Sequence, residues 1–454
     1  MRNLLQAVLG TAIVVLLAAC SGRGAPEADL LIADVTLIDG TGAAARSHVD
    51  VYVRDGRIAD IAAHPGGKPA RQVVDGAGKY LIPGLIDAHT HPFPVERTFP
   101  RFIRFGVTSI FITGCSDCSN ETLSRLRSDS RSDRITAPRV FHTSQHFTME
   151  GRHPVKTYVS DKWIDGETVH FLRDTLQIGR LVREVAREPI LGIKVTIEEG
   201  PAPPFVERMP AAFVAAIVRE AHRHGLKVFA HVSDMAEVRI AADAGVDHLL
   251  HFVGVDIDWE RDAAVIERLR QRNLSWVTTL MIDKSFFYPV RPEWQAELAE
   301  DERVNADELA RLQAEASPEA AMAFIRGAYG VSDPTFAGII APQIDDLREL
   351  HARGFPLVIG TDVGNDWIFP GVSIHEEMEI MAMGFDPREI IPMATRNAAA
   401  MLGVLDSLGT IEAGKVADMV LLDRDPLADI RHTRSIRAVY KRGTPQAMAG
   451  GDGE

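Results

Sequence analysis

Eight short apolar runs alternate with helical patterns between residues 84 and 361, and hairpin-like strands crowd both chain ends. Together these predict an α/β fold, a (β/α)8 TIM barrel over residues 83–404 with a small β-sandwich built from residues 29–82 and 405–446. A third observation agrees. Polar side chains recur at the ends of the apolar runs, where such a barrel keeps its chemistry. A doubly wound open sheet is the alternative, but it would bring an early Gly-rich phosphate loop, and the sequence has none.

At the N-terminus, Arg2 precedes an apolar run from Ala7 to Leu17 and then Leu17-Ala18-Ala19-Cys20. A short hydrophobic segment with small residues before a cut is a signal peptide, here residues 1–20. Its ending resembles a bacterial lipobox, which implies that Cys20 is lipidated as the first mature residue; an ordinary secretory signal is the alternative. Residues 21–28 read as a flexible tether and 447–454 as a tail. The expected location is the bacterial cell envelope, on the periplasmic side, with membrane contact only through the lipid, or outside the cell. The net charge of −14 leaves no basic stripe for phosphates, so nucleic acid is not an expected partner. The number of copies is open, a homo-oligomer included.

The first β segment runs from Leu30 to Asp39, followed by Val49–Arg54, the turn Asp55-Gly56 and Arg57–Ile61. Alternating apolar residues punctuated by Asp-Gly are a hairpin signal. Gly409–Ile411, Ala417–Asp423 and Ile436–Tyr440 have the same texture, so the two ends are expected to pair. Between them the strand candidates are 84–89, Val107–Thr113, Arg139–Thr143, Gly192–Ile197, Lys227–Val232, Val246–Phe252, Leu274–Leu280 and Pro356–Thr361. Helical patterns such as Pro210–His224 and Pro342–Arg353 separate them and stop at glycines (Gly225, Gly354).

The first run ends in His89-Thr90-His91. Alternate residues of a strand share a face, so both imidazoles can reach one divalent cation. The fourth run carries Lys194 among apolar residues, the fifth His231, the sixth His251, and the eighth ends in Asp362. A lone buried ammonium is costly. Either Lys194 pairs with a carboxylate such as Asp362, or, deprotonated, it takes up carbon dioxide and becomes a carbamate able to bridge two cations.

Three stretches then carry a resemblance: Leu81–His91, Gly360-Thr361-Asp362, and Ala398–Gly403 followed by Gly409–Val420. From about residue 30 to 445 the chain resembles the amidohydrolase superfamily, in the metal-dependent branch similar to imidazolonepropionase-like proteins and Xaa-Pro dipeptidases. The resemblance implies two divalent metal ions, most simply Zn2+. His89 and His91 would bind one, His231 and His251 the other. Carbamylated Lys194 would bridge them, and Asp362 would bind the first and shuttle protons. It implies a metal-dependent amidohydrolase cleaving the C–N bond of a dipeptide or N-acyl amino acid by attack of a hydroxide held between the metals. Other outcomes stay open. One is a one-metal deaminase, for which Asp234 would be the acidic partner of His231. Another is ester, lactone or phosphotriester hydrolysis, and a third is a non-catalytic lipid-anchored binding protein.

Two departures from the family pattern stand out, Cys115-Ser116-Asp117-Cys118 and Arg152 before His153. The cysteines are a small disulfide or two free thiols. After the seventh run a long insertion, Ile282 to about Gly338, starts aromatic and basic and continues helical and acidic. Its first turn, with His153 and Tyr158, is expected to shape the substrate pocket. Lys284, Arg152 or Arg291 would take a substrate carboxylate.

Overall fold

The computed structural model describes residues 27–92, 95–132, 136–158 and 162–447. The signal peptide, Cys20, most of the tether and nearly all of the C-terminal tail lie outside them. No helix among the described residues is long and apolar enough to cross a membrane.

The chain opens with β1 (Ala28–Leu37), β2 (Arg46–Arg54), β3 (Arg57–Ala63), β4 (Ala70–Asp75) and β5 (Tyr80–Pro83). Its middle supplies β6 (Leu85–Thr90), β7 (Val107–Ile112), β8 (Arg139–His142), β9 (His146–Thr148) and β10 (Val169–Phe171). Next come β11 (Gly192–Thr196), β12 (Lys227–His231), β13 (His248–Leu250), β14 (Ser275–Val277) and β15 (Leu357–Val358). It closes with β16 (Met419–Leu422), β17 (Ile436–Lys441) and β18 (Thr444–Pro445).

Both chain ends do pair. One eight-stranded sheet runs β18-β17-β16-β5-β1-β2-β3, with β4 alongside β1. The seam is antiparallel, with Ile82 opposite Val420. Asp55 and Gly56, at φ of +54° and +73°, make the tight turn joining β2 to β3 that their types favour. Leu30, Ile32, Val35 and Leu37 pack with Val51, Leu81 and Met419 into a separate core beneath this sheet.

The middle is α/β and TIM-barrel-like. One parallel sheet holds β6-β7-β8; the other runs β10-β9-β11-β12-β13-β14-β15. Backbone hydrogen bonds join the two sheets twice. Leu191 N to His142 O and Ser144 N to Gly192 O tie β8 to β11 (both 2.9 Å), while Ala88 N to Ile359 O (3.1 Å) ties β6 to the segment after β15. All of β7 is buried, as expected for a parallel strand covered on both faces. The covering helices are amphipathic. In helix Ala211–Arg223 the buried Val214, Ile217, Val218 and Ala221 recur at the three- and four-residue spacing of one helix face. Its end is followed by Gly225 at φ +69°, a conformation glycine adopts without steric cost.

The third run differs from its expected form. It forms β8, which pairs with β7, and a further short strand beyond its end, β9, pairs with β11. Between them Thr143 and Ser144 turn their hydroxyls onto the carbonyls of the next residues, at 2.7 and 2.8 Å, a local alternative to the sheet ladder. The later strands are shorter than their apolar runs, and Gly409–Ile411 forms no strand. The long insertion is helical, with helices Met281–Phe287, Pro292–Glu300, Ala306–Glu315 and Pro318–Tyr329.

Two glycines mark where backbones meet. A Cβ on Gly84 would lie 2.1 Å from the Thr108 hydroxyl, and one on Gly360 would lie 2.8 Å from the His89 Cβ and 2.7 Å from Val277. Nothing at Gly360 can yield cheaply, since its neighbours are strand backbone and a buried valine. Gly360→Ala should therefore destabilise the protein by about 1–3 kcal/mol, the usual range for overpacking. A lower midpoint in denaturant unfolding checks it; an unchanged midpoint would mean the strands have slack there.

Candidate active site

The site is built from strand ends, beginning with the alternation Asp87, His89, His91. Asp87 is buried and accepts from the Thr361 hydroxyl (2.6 Å) and the Thr361 backbone N–H (3.0 Å). It thereby binds the first strand to the eighth just below the chemistry. Burial pushes its carboxyl up to about 7, against the pull of those bonds. Above it, His89 Nε2 and His91 Nε2 lie 3.2 Å apart, and both face Asp362 Oδ1, at 3.3 and 3.1 Å. The Nδ1 of His91 is 2.7 Å from the Gly114 carbonyl. A carbonyl only accepts, so that nitrogen carries a proton and Nε2 faces the site. Burial opposes ionisation of Asp362, but the imidazoles of His91 and His251 and the Lys194 ammonium hold it below the usual carboxylate range.

Lys194 is fully buried, and its Nζ has no hydrogen-bond partner. It makes no ion pair with Asp362 within contact distance. Burial drags its pKa down to about 7, with Asp362 and Glu198 opposing only in part. Two residues past the end of the same strand lies Glu198, absent from the sequence-based set. Its carboxylate meets His231 Nε2 directly and lies 3.8 Å from His153 Nε2. A signal existed: Lys194, Thr196 and Glu198 keep a two-residue alternation.

Two groups of donor atoms therefore converge, His89–His91–Asp362 and His153–Glu198–His231. His153, expected only to line the pocket, belongs to the second. His251, expected to pair with His231, stands between the groups, its ring 4.0 Å from that of His231 and 4.4 Å from that of His89. Thr279 orients it through Nδ1 at 2.9 Å. His251 and Asp362 both hold left-handed backbone, at φ +72° and +67°. Burial first, then the neighbouring positive charges, keep His89, His231 and His251 well below the ordinary imidazole range and hence neutral. Neutral imidazoles and an ionised carboxylate are what a divalent cation requires. The buried His153 Nε2, His251 Nε2 and Lys194 Nζ all lack hydrogen bonds, so the donor set fits such ions.

A cavity of about 200 Å³ opens over this cluster, walled by Glu198, His231, His251 and Asp362 and, further out, by Tyr158 and Phe286. Arg152, Lys284 and Arg291 do not line this cavity. Lys284 Nζ lies 2.6 Å from Glu376, Arg152 pairs with Glu207 at 2.7 Å, and Arg291 lies over the Trp294 ring, 3.5 Å from Glu293. Each cation has found a carboxylate on its own neighbouring element. Cys115 and Cys118 are joined in a disulfide. Gln145 bridges the loop they close, accepting from Cys115 N at 2.7 Å and donating to Cys118 O, next to the Gly114 carbonyl that orients His91.

The amidohydrolase family model matches residues 80–445, which takes in every group described above. The chain belongs to the amidohydrolase family. Like its relatives it is a hydrolase acting on carbon–nitrogen bonds. It is 25% identical over 403 residues to the imidazolonepropionase of Brevibacillus brevis, covering 87% of both chains. The imidazolonepropionase of Ralstonia nicotianae is 27% identical over 416 residues, covering 87% of this chain and 92% of that one. Among solved structures, a Xaa-Pro dipeptidase with methionine bound in its active site matches with a TM-score of 0.69 at 21% identity, over 92% of this chain and 99% of that one. Molinate hydrolase matches at 0.68 and 22%, over 93% and 95%. At these identities the two structures show a shared fold.

If Glu198 is a ligand and not merely a partner of His231, Glu198→Ala should weaken retention of a divalent cation by at least about tenfold. Dialysis against graded chelator followed by elemental analysis measures this. Retention equal to the unmodified protein would leave Glu198 with a hydrogen-bonding role alone.

Proposed function

We propose that this amidohydrolase is a two-metal enzyme that cleaves the amide bond of a dipeptide or N-acyl amino acid. The observation that carries the reading is Lys194. It is buried without a hydrogen bond, drawn to about 7, and close enough for its charge to act on His89 of one donor group and His231 of the other. A neutral amine in that position adds to carbon dioxide, loses its proton to solvent, and offers two carbamate oxygens. His89, His91 and Asp362 would hold one zinc-like ion. His231, with Glu198, His153 or His251, would hold the other. Bound there, the ions would lower the pKa of a water and polarise the scissile carbonyl. Asp362, held below the usual carboxylate range, would take a proton and return it to the departing amine. Tyr158 and Phe286 frame the substrate and limit entry of bulk water.

The architecture in this reading is an eight-stranded barrel closed through the β8–β11 and β6–β15 hydrogen bonds, with a small sandwich on its flank. The disulfide fits an oxidising compartment. Lipidation of Cys20 would hold the enzyme at the cell envelope. A one-metal deaminase is less well supported. Asp234 caps helix Met235–Ala244, accepting from Glu237 N, and its other oxygen is bound by Arg208.

Elemental analysis should give close to two divalent ions per chain, and Lys194→Ala should lose at least one; about one ion in both proteins would refute the two-metal scheme. Loading in bicarbonate should improve as pH rises through about 7, because the lowered pKa of Lys194 makes the neutral amine the major form above that point. Equal loading at pH 6 and 8 would argue against a carbamate. Asp362→Asn should keep its metals yet lose about 10²-fold or more in kcat, as expected for removing general acid–base catalysis. Near-normal kcat in that variant would reassign the proton shuttle.

A further inference from the structure

Beside the catalytic cavity lies a second and larger one, of about 670 Å³ against about 200 Å³. The two share the wall residues Tyr158, Pro201, Ile282 and Phe286, so they meet along one rim. The chain itself links them. Asp362 belongs to the catalytic cluster, and Trp367, five residues on, lines the larger cavity. His153 belongs to the second donor group, and Tyr158, its ring 5.4 Å away, stands on the shared rim.

The far wall comes from the insertion. Helices Ala306–Glu315 and Pro318–Tyr329 contribute Leu312, Ala320, Ala321 and Phe324, the last packed edge-on against Phe286 at 4.7 Å. Small alanines between aromatics leave the space open and mostly apolar, with Thr157, Ser285, Ser317 and Asn365 as its uncharged polar members. Its charged members are Glu315 and Asp366, and both are bound by Arg311, Glu315 at 2.6 Å and Asp366 at 3.3 Å. No lysine, arginine or histidine among the described residues lines it. An occupant carrying an anion would meet like charge and no counter-ion. A flat apolar occupant would meet aromatic faces, in a volume ordinary for a small-molecule site.

We propose that this cavity is an apolar subsite for the acyl half of the substrate, so that the enzyme acts on amides whose acyl group is aromatic or a bulky hydrocarbon. The assignment to the acyl half follows from charge, since the amino-acid half of an N-acyl amino acid bears the carboxylate. The inference rests on the amide-hydrolase reading above, and its test separates the two.

Metal-loaded enzyme is assayed with N-(2-naphthoyl)glycine and N-acetylglycine by glycine release. In parallel, 2-acetonaphthone, a neutral aryl ketone with no bond to cleave, is titrated calorimetrically. The naphthoyl substrate should show at least a tenfold higher kcat/KM. Ala321→Trp, which fills the cavity, and Ala320→Glu, which makes an exposed part of its wall polar, should each remove that preference and weaken 2-acetonaphthone tenfold, with N-acetylglycine changed less than twofold. Equal 2-acetonaphthone affinity in all three proteins overturns the subsite. So does amide cleavage without size preference, although that result upholds the hydrolase reading. Size-selective binding with neither amide cleaved would uphold the subsite and remove the amide reading.

Discussion

Burying Lys194 among imidazoles costs free energy that no hydrogen bond to its Nζ offsets. The surroundings respond in one direction. Lys194 is drawn toward neutrality, His89, His231 and His251 are held neutral, and Asp362 stays ionised. Those are the protonation states in which each group can donate an electron pair. A cluster that is poorly satisfied as protein alone is one that a cation completes, so destabilisation and affinity are the same fact seen from two sides.

Holding such a cluster requires a scaffold that cannot relax around it. The parallel strands supply one: β7 is buried along its whole length and paired with β6 and β8, and β12 is paired with β11 and β13. Asp87 clamps the first strand to Thr361 of the eighth, and Gly360 lets the two backbones approach closely enough for that clamp. His91 is then oriented by Gly114 and His251 by Thr279, one second partner for each ring.

The insertion has the opposite character. Its polar side chains pair with those of the helices packed against it. Glu377 accepts from Leu280 N and Met281 N at 3.0 and 2.7 Å, Asp283 from Gln343 at 2.9 Å and from the Tyr329 hydroxyl, and Glu376 from Lys284 and Tyr288. That layer spends its charges on its own cohesion and turns alanines and aromatics toward the opening.

What the sequence determined by itself was whatever depends on local periodicity. Apolar runs and glycine stops placed the strands and helices, two-residue alternation put His89 with His91, and the runs marked Lys194 inside one of them and His231, His251 and Asp362 near the ends of others. The same alternation would have reached Glu198 had it been followed two residues past Thr196. The partnering of side chains from distant strands was decided by the tertiary structure alone. No spacing in the chain reports that His153 would join Glu198 and His231, or that His251 would fall between the two groups. Nor could composition tell that Lys284, Arg152 and Arg291 would each be bound by a nearby carboxylate, because a charge seeks its partner through space. The short strand β9, beyond the third run, has the same origin, because its pairing depends on where β11 lies.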